Sequence, residues 1–552
     1  MNRSPGSSIS MVDNISDTLS EVAATQGQKT GIVEAHNGRT MSFDELSNSA
    51  KQYASYLAEN GVQAGDKVML MVKPSADFIS LTFGLFHIGA PVILIDPGMG
   101  YRNLLRCITA IRPDYMIGLP QAILFKKLFY KTFASVRKSF CCGSWLNITG
   151  KDIRKEAQRF TQDVEVYKPQ DDSLAAIIFT TGSTGPPKGV RFEHAIFSSQ
   201  LHYIKHYYGI TADDVDLPGF PLFALFSTAL GACAIIPDMD PTKPAHVNPI
   251  KFVNTINTYG VTYSFGSPAI WHVVSNYCTK KKITCKTLKK VLMAGAPVPG
   301  SLIKRVYGLM PEDGQIFTPY GATESLPIVS IEGREVINHT WSKTIKGYGT
   351  CVGRPLPGIK VEIIEVSEQP FASIDECIKK TCFEIGEIIV KGSVVTRAYE
   401  NNEPETTLSK IPDNDGFWHR IGDMGYLDEQ GRLWFCGRKA HRVHTKKGVM
   451  YTIPCEAIIN EHPHVFRSAL VGINDTSGFE EPAIIVETAP GSRLGHKKLL
   501  EEIKELAAAH QLTKSIEHFF IHPSFPVDIR HNAKIFREKL KIWAQNKTGE
   551  RR

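Results

Sequence analysis

The chain has 552 residues, 42% of them apolar and 22% charged, and carries a formal net charge of +7. That length holds several domain-sized units with sizeable cores, and the composition is that of an ordinary soluble globular protein. Spread over so long a chain, the charge is a mild bias towards anionic ligands and no nucleic-acid signature.

Eleven cysteines without a repeated spacing, and no Cys or His pair to complete a zinc site beside Cys377 and Cys382, read as reduced thiols of a cytoplasmic protein. Residues 1–20 read as a flexible lead-in that lacks the apolar stretch of a signal peptide. Then Lys67–Lys73, Phe78–Ile88 and Pro91–Asp96 read as strand, helix and strand, which predicts a parallel sheet with helices on its faces. Wholly apolar strands fit a sheet covered on both sides. From Gln121 to Phe140, apolar Ile123, Leu124, Leu128, Phe129 and Phe133 alternate with Lys126, Lys127, Lys131, Arg137 and Lys138. At helical spacing this is either a basic amphipathic helix that touches a membrane surface or a surface helix with snorkelling lysines. The apolar run Leu222–Ile236 is too short for a comfortable span, is fenced by Pro221 and Pro237, and reads as buried core. The texture of the parallel sheet returns at Ala175–Phe179 and Val291–Ala294. After about residue 350 short alternating segments such as Lys360–Glu365 and Gly386–Val390 predict an antiparallel, β-rich unit.

The sharpest local signal is Ile177-Ile-Phe-Thr-Thr-Gly-Ser-Thr-Gly-Pro-Pro-Lys-Gly-Val190, an apolar strand that runs into hydroxyls, glycines and one lysine. Glycines let backbone approach a ligand closely, successive N–H groups make an anion-binding nest, and Lys188 adds a point charge. The loop is not a Walker A motif, because Lys188 precedes its glycine. On composition alone a Gly/Ser-rich surface turn rivals this reading; the order of the residues is far more restrictive.

That order resembles the signature loop of the adenylate-forming superfamily, which includes the acyl-CoA synthetases. Further motifs follow in the expected order: Ala294-Gly-Ala-Pro297, Tyr320-Gly-Ala-Thr-Glu-Ser325, Ile421-Gly-Asp423, Gly437-Arg438 and Asn532-Ala-Lys-Ile535. The resemblance covers about residues 20–545. It implies an α/β fold with a large N-terminal domain (residues 21–438) of parallel sheets and a β-rich subdomain. A hinge at Lys439 and Ala440 and a small, mobile α+β C-terminal domain (441–552) complete it. ATP and Mg²⁺ are the implied cofactors. Thr180, Thr181, Gly182, Ser183, Thr184, Gly185 and Lys188 would cradle the β- and γ-phosphates, and Glu324 would hold the metal. Thr323 would donate to the α-phosphate, Gly295, Ala296, Pro297, Tyr320 and Gly321 would flank adenine, and Asp423 and Arg438 would take the ribose side. Lys534 would bridge the carboxylate and the nucleotide. The chain departs from the common pattern at Ala440 in the hinge, at Ala533 before the lysine, and at Ala224, where many relatives carry histidine.

More specific stretches, Asp216–Phe226, Ile236–Pro244, Phe435–Lys439 and Phe525–Lys534, are similar to the β-lactone synthetases of bacterial olefin biosynthesis. That resemblance implies activation of a long-chain 2-alkyl-3-hydroxy fatty acid followed by ring closure, without coenzyme A. Phe220, Phe223, Phe226 and Leu230 are candidates for its apolar pocket, although any one of them is equally well placed as core. The alternatives are a fatty acyl-CoA ligase, a ligase that loads a carrier protein, and a catalytically silent nucleotide-binding protein. For the stretch from Gln121 to Phe140 the ordinary surface helix is the better-supported reading, and peripheral contact with a membrane or with enzymes of the olefin pathway is left open.

Overall fold

The computed structural model describes residues 14–143, 149–161, 163–180, 186–220, 222–476, 478–527 and 535–549. The expected lead-in needs correction from Asn14 onward. Helix Ile15–Gln26 starts there, capped by the Asn14 side chain on Ser16 N, and buries Ile15 and Leu19. The apolar spacing of those two residues lets the helix dock on the core.

Two mainly parallel sheets form the body, as the strand–helix alternation predicts. The first runs Lys138–Cys141, Tyr115–Gly118, Val68–Met71, Val92–Leu94, Leu174–Phe179, Gly189–Glu193, and only its last pair is antiparallel. The second runs Gln315–Phe317, Lys290–Met293, Tyr263–Gly266, Val215–Asp216, Cys233–Ile236, Thr30–Glu34, Arg39–Ser42, again with one antiparallel edge pair. The central strands of the first sheet, Val68–Met71, Val92–Leu94 and Leu174–Phe179, are apolar at every position because each face is covered. Val68, Leu70, Val92 and Ile117 join the core between the sheets, while Met69, Ile93 and Met116 join a second core on the outer face. Helix Ala76–His87 lies in the inner core, started by Ser75, whose hydroxyl accepts from Phe78 N. It is buried all round, which is why its sequence shows no polar face.

The amphipathic stretch is not one helix. Pro120–Leu128 is helical, a turn-rich segment follows, and Lys138–Cys141 is the edge strand. Ile123 and Phe133 are buried and Phe125 and Phe129 partly so. Aromatic residues at 129, 130 and 133 favour helix weakly, and burial of Phe133 turns the chain inward. Leu222–Ile236 is core, as expected, and among the described residues no helix is long and apolar enough to cross a membrane.

A third, antiparallel sheet carries the β-rich part: Tyr320–Ala322, Ser325–Ser330, Thr350–Pro355, Leu433–Arg438, Gly416–Leu427, Gly386–Lys391, Lys360–Ile364, with Lys410–Asp413 alongside Gly416–Leu427. The C-terminal part centres on strands Val465–Thr476, Phe479–Thr488 and His518–Ile521. Its alternating residues serve two faces. Leu470 and Ile484 meet helix His496–Ala508 through Leu499 and Ile503, whereas Val471 and Ile485 meet helix Arg537–Gly549 through Leu540 and Ala544. All eleven cysteines are free thiols.

Candidate active site

A cavity of about 2250 Å³ opens where the parallel strands end. Its wall includes residues at or just past the C-terminal ends of strands of both sheets, such as Asp96, Thr180, Gly219, Phe265, Ala294 and Tyr320. Ligands of open α/β sheets bind at that edge, where the loops leave backbone groups free.

Thr180 and Lys188 face each other across the neck of the phosphate loop. Thr180 N donates to Lys188 O at 2.9 Å and Lys188 N to Thr180 Oγ1 at 3.2 Å, which continues the pairing of Phe179 with Gly189. The loop residues between them that were expected to bind phosphate, Thr181, Gly182, Ser183, Thr184 and Gly185, lie outside the described residues, as does Lys534. Ile535, the residue after Lys534, lines the cavity, and so does Arg537.

The Tyr320-Gly-Ala-Thr-Glu-Ser motif is a tight hairpin. Tyr320–Ala322 pairs with Ser325–Ser330, so Thr323 and Glu324 are its turn and both line the cavity. Gly321 is required there, since a Cβ would meet Ser325 O at 2.2 Å. Asp423 and Arg438, expected on the ribose side, come from neighbouring strands of the third sheet, where they are register partners. Arg438 Nη1 lies 3.1 Å from Asp423 Oδ1, and Tyr320 OH donates to Asp423 Oδ2 at 2.6 Å. Burial and the Asp423 carboxylate push the Tyr320 phenol well above its ordinary pKa, so it stays a donor. Gly295, at a φ of 96°, turns the Ala294–Pro297 segment so that Gly295, Ala296 and Pro297 all line the cavity.

Sequence reasoning missed a further layer. Glu405, on helix Glu403–Ser409, forms an ion pair with Lys188, whose ammonium sits 5.3 Å from the centre of the Tyr399 ring. Tyr399 OH in turn donates to Glu324 Oε1 at 2.7 Å. The segment that carries Tyr399 is pinned to both sides of the site: Thr396 N donates to Glu324 O at 2.9 Å and Glu400 N to Gly189 O at 2.8 Å. Behind it, burial pushes the Lys410 ammonium down to about 7, against the pull of the Glu324 and Glu193 carboxylates. The N-cap Asn402 is a sequence signal for the helix that holds Glu405. Nothing local signals its pairing with Lys188, which lies 217 positions away.

The apolar side of the cavity includes Phe192, Phe197, Phe220, Phe223, Phe226 and Phe265. Phe223 stacks on Phe265 with centroids 3.6 Å apart and planes 12° apart. Phe220, Phe223 and Phe226 line this side of the cavity. Leu230 does not: helix Phe223–Ala229 puts only its first turn on the cavity, and Leu230, at its C-cap, packs against the main core.

Among the described residues no group of three or more His, Cys, Asp or Glu side chains is placed to hold a metal by itself. A lone carboxylate such as Glu324, open to the cavity and held by a neutral donor, fits a hard cation shared with phosphate oxygens.

These features define a polar, hydrogen-bonded wall joined to an apolar chamber in one cavity. The chain belongs to the AMP-binding enzyme family, whose model matches residues 19–400. ATP is the nucleotide that this membership implies. It is 39% identical over 518 residues to an olefin β-lactone synthetase of Stenotrophomonas maltophilia (strain K279a), across 93% of this chain and 92% of that one. A second olefin β-lactone synthetase, from Xanthomonas campestris pv. campestris, is 39% identical over 516 residues, across 92% and 91%. The fold is shared with the anthranilate CoA ligase AuaEII, solved with anthranoyl-AMP, at a TM-score of 0.79 and 18% identity, covering 98% of this chain and 99% of that one. The resemblance read from the phosphate loop and its downstream motifs is borne out.

Proposed function

We propose that the protein converts a long-chain 2-alkyl-3-hydroxy fatty acid into a β-lactone, with ATP consumed and AMP and pyrophosphate released. The observation that carries this reading is the join between the polar wall around Lys188, Glu324, Asp423 and Arg438 and an apolar chamber, in one cavity of about 2250 Å³. That volume exceeds the 300–1,000 Å³ or so of an ordinary ligand site, which suits a nucleotide and two alkyl chains together. The identity to two olefin β-lactone synthetases supports it.

In the first step a carboxylate oxygen bonds to the α-phosphorus, and the bond to the bridging oxygen of pyrophosphate breaks. Two anions meet, so cationic and hydrogen-bonding groups must be in place beforehand. Lys188 leaves Glu405 for the β- and γ-phosphates, together with Thr180, Thr181, Ser183 and Thr184. Thr323 donates to the α-phosphate. Tyr320 flanks adenine, and Asp423 and Arg438 hold the ribose side. Glu324 would hold Mg²⁺, which supplies charge neutralisation on the phosphates. Lys534 bridges carboxylate and nucleotide, carried there by the C-terminal part turning about Lys439 and Ala440. In the second step the oxygen of the 3-hydroxyl attacks the activated carbonyl carbon, its proton is lost, and AMP departs with the bonding electrons. Holding that hydroxyl beside the carbonyl replaces a bimolecular step. The reading places the enzyme in the cytoplasm, beside enzymes that make the hydroxy acid and consume the lactone.

The test is incubation with ATP, Mg²⁺ and a syn-2-alkyl-3-hydroxy fatty acid without coenzyme A. A β-lactone in the organic extract with matching AMP is the expected result. AMP release only when coenzyme A and a simple fatty acid are supplied would replace this reading with acyl-CoA ligation.

A further inference from the structure

The outer face of the first sheet carries an unused surface. Helices Tyr101–Ile111 and Pro120–Leu128 follow strands whose connections run in one direction along that sheet, so right-handed crossovers put both on the same side. Leu104, Ile108, Ile123 and Phe133 are buried together beneath them. Outward, Tyr101, Leu128 and Tyr130 are 59%, 73% and 66% exposed. On the same two helices and the turn that follows the second, Arg102, Arg106, Lys127 and Lys131 are exposed, and no described carboxylate lies within ion-pair distance of any of the four. Residues 99–112 and 115–151 contain no aspartate or glutamate. The surface therefore combines exposed apolar tips with uncompensated positive charge.

The same helices reach the cavity from within. Leu104, Gln121, Ala122 and Phe125 line it, and Gln121, at the head of the second helix, is itself exposed. On the function proposed above, the acid that enters carries long alkyl chains. Each methylene favours an apolar phase over water by roughly fourfold, so such an acid resides in a bilayer and not in solution.

We propose that this face seats the protein on an anionic lipid bilayer. Leu128 and Tyr130 reach the headgroup–acyl boundary, the four cations hold the anionic headgroups, and the part of the cavity wall that Gln121 contributes faces the lipid. Interfacial binding of this kind needs both buried apolar area and charge attraction, and each cation near an anionic surface multiplies binding by roughly fivefold. A protein partner with an acidic groove is the competing occupant. Exposed apolar tips beside the cations, and the long alkyl chains of the acid in the reading above, favour the bilayer.

The test is flotation of the full chain with vesicles of phosphatidylglycerol and phosphatidylcholine, against phosphatidylcholine alone. Binding to the anionic vesicles, loss at high salt, and a fall of roughly tenfold or more in Lys127→Glu/Lys131→Glu and in Leu128→Ser/Tyr130→Ser are expected. Both variants should keep wild-type ATP binding and turnover of detergent-dispersed acid, which shows that they fold. Equal binding to neutral and anionic vesicles, or variants that bind like wild type, would overturn the proposal. So would a wild-type dimer that Leu128→Ser/Tyr130→Ser converts to monomer without any vesicle binding. Vesicle binding by a protein that makes no lactone would leave this surface standing and remove only the reading of the substrate.

Discussion

Along the polar wall of the cavity, Tyr320, Asp423 and Arg438 are joined at 2.6 and 3.1 Å, and Tyr399 ties Glu324 to the neighbourhood of Lys188. The aromatic wall is different. Phe223 stacks on Phe265 and packs near Phe220 and Phe226, and this part of the wall offers rings and no charged groups. Tyr320, Asp423 and Arg438 of the polar wall are held in place before a ligand arrives, which is what charge stabilisation in a transition state requires. The aromatic wall supplies area, and its specificity resides in shape. Damage to the first should appear in turnover, and damage to the second in stability and in discrimination between acids.

Lys534→Ala tests that division most severely. Pyrophosphate release should fall by roughly 10²–10³-fold or more, as for loss of a group that acts on the transition-state charge. ATP binding by calorimetry should be retained, and wild-type pyrophosphate release from this variant would remove Lys534 from the mechanism. Phe223→Ala addresses the other wall. It removes a stacked ring, should lower stability by about 3–5 kcal/mol in chemical denaturation, and should raise KM for the long-chain acid while leaving KM for ATP near wild type. A shift in the ATP value as large as that for the acid would mean that the two walls are not separable.

Asp216 sharpens the comparison from behind the aromatic wall. It is fully buried with Ser227 and Tyr263 beside it, and burial pushes its carboxyl up to about 7. Its folded pKa is above the unfolded one, so between about pH 4 and pH 7 the native state holds a proton that the unfolded state has lost. Its contribution to stability is complete below about 4 and is lost as the pH rises through about 7, with a slope of up to about 1.4 kcal/mol per pH unit. Asp216→Asn should flatten the dependence of Tm on pH across that window. An unchanged slope would mean that Asp216 is ionised in the native protein. Tyr399→Phe has the smallest expected effect. It keeps the ring beneath Lys188 and removes the hydrogen bond to Glu324, worth about 1 kcal/mol. The Mg²⁺ concentration needed for half-maximal rate should rise several-fold while KM for ATP stays put, and equal changes in both would assign the hydroxyl to nucleotide binding.

The polar wall was legible to the extent that its residues lie in short motifs. The hairpin that presents Thr323 and Glu324 is written in six consecutive residues, and Gly321 is there because no Cβ fits. Helix Ile15–Gln26 was not legible, because its docking depends on a core that other segments build. Leu230 was misplaced for a similar reason. It shares a helical face with Phe223 and Phe226, but where the cavity ends along that face is set by neighbouring elements.

By itself, then, the sequence determined the class of fold, the strands covered on both faces, the order of the nucleotide motifs and the chemistry they offer. These depend on residues near one another in the chain, where spacing translates directly into geometry. Tertiary structure alone decided that Glu405 and Tyr399 meet Lys188 and Glu324, and that the polar wall opens into an aromatic chamber. It also decided that the basic stretch after Pro120 turns its phenylalanines inward and leaves Leu128, Tyr130 and their lysines outside. Contacts between segments tens to hundreds of positions apart are selected by the packing of whole sheets and helices, and no local pattern encodes them.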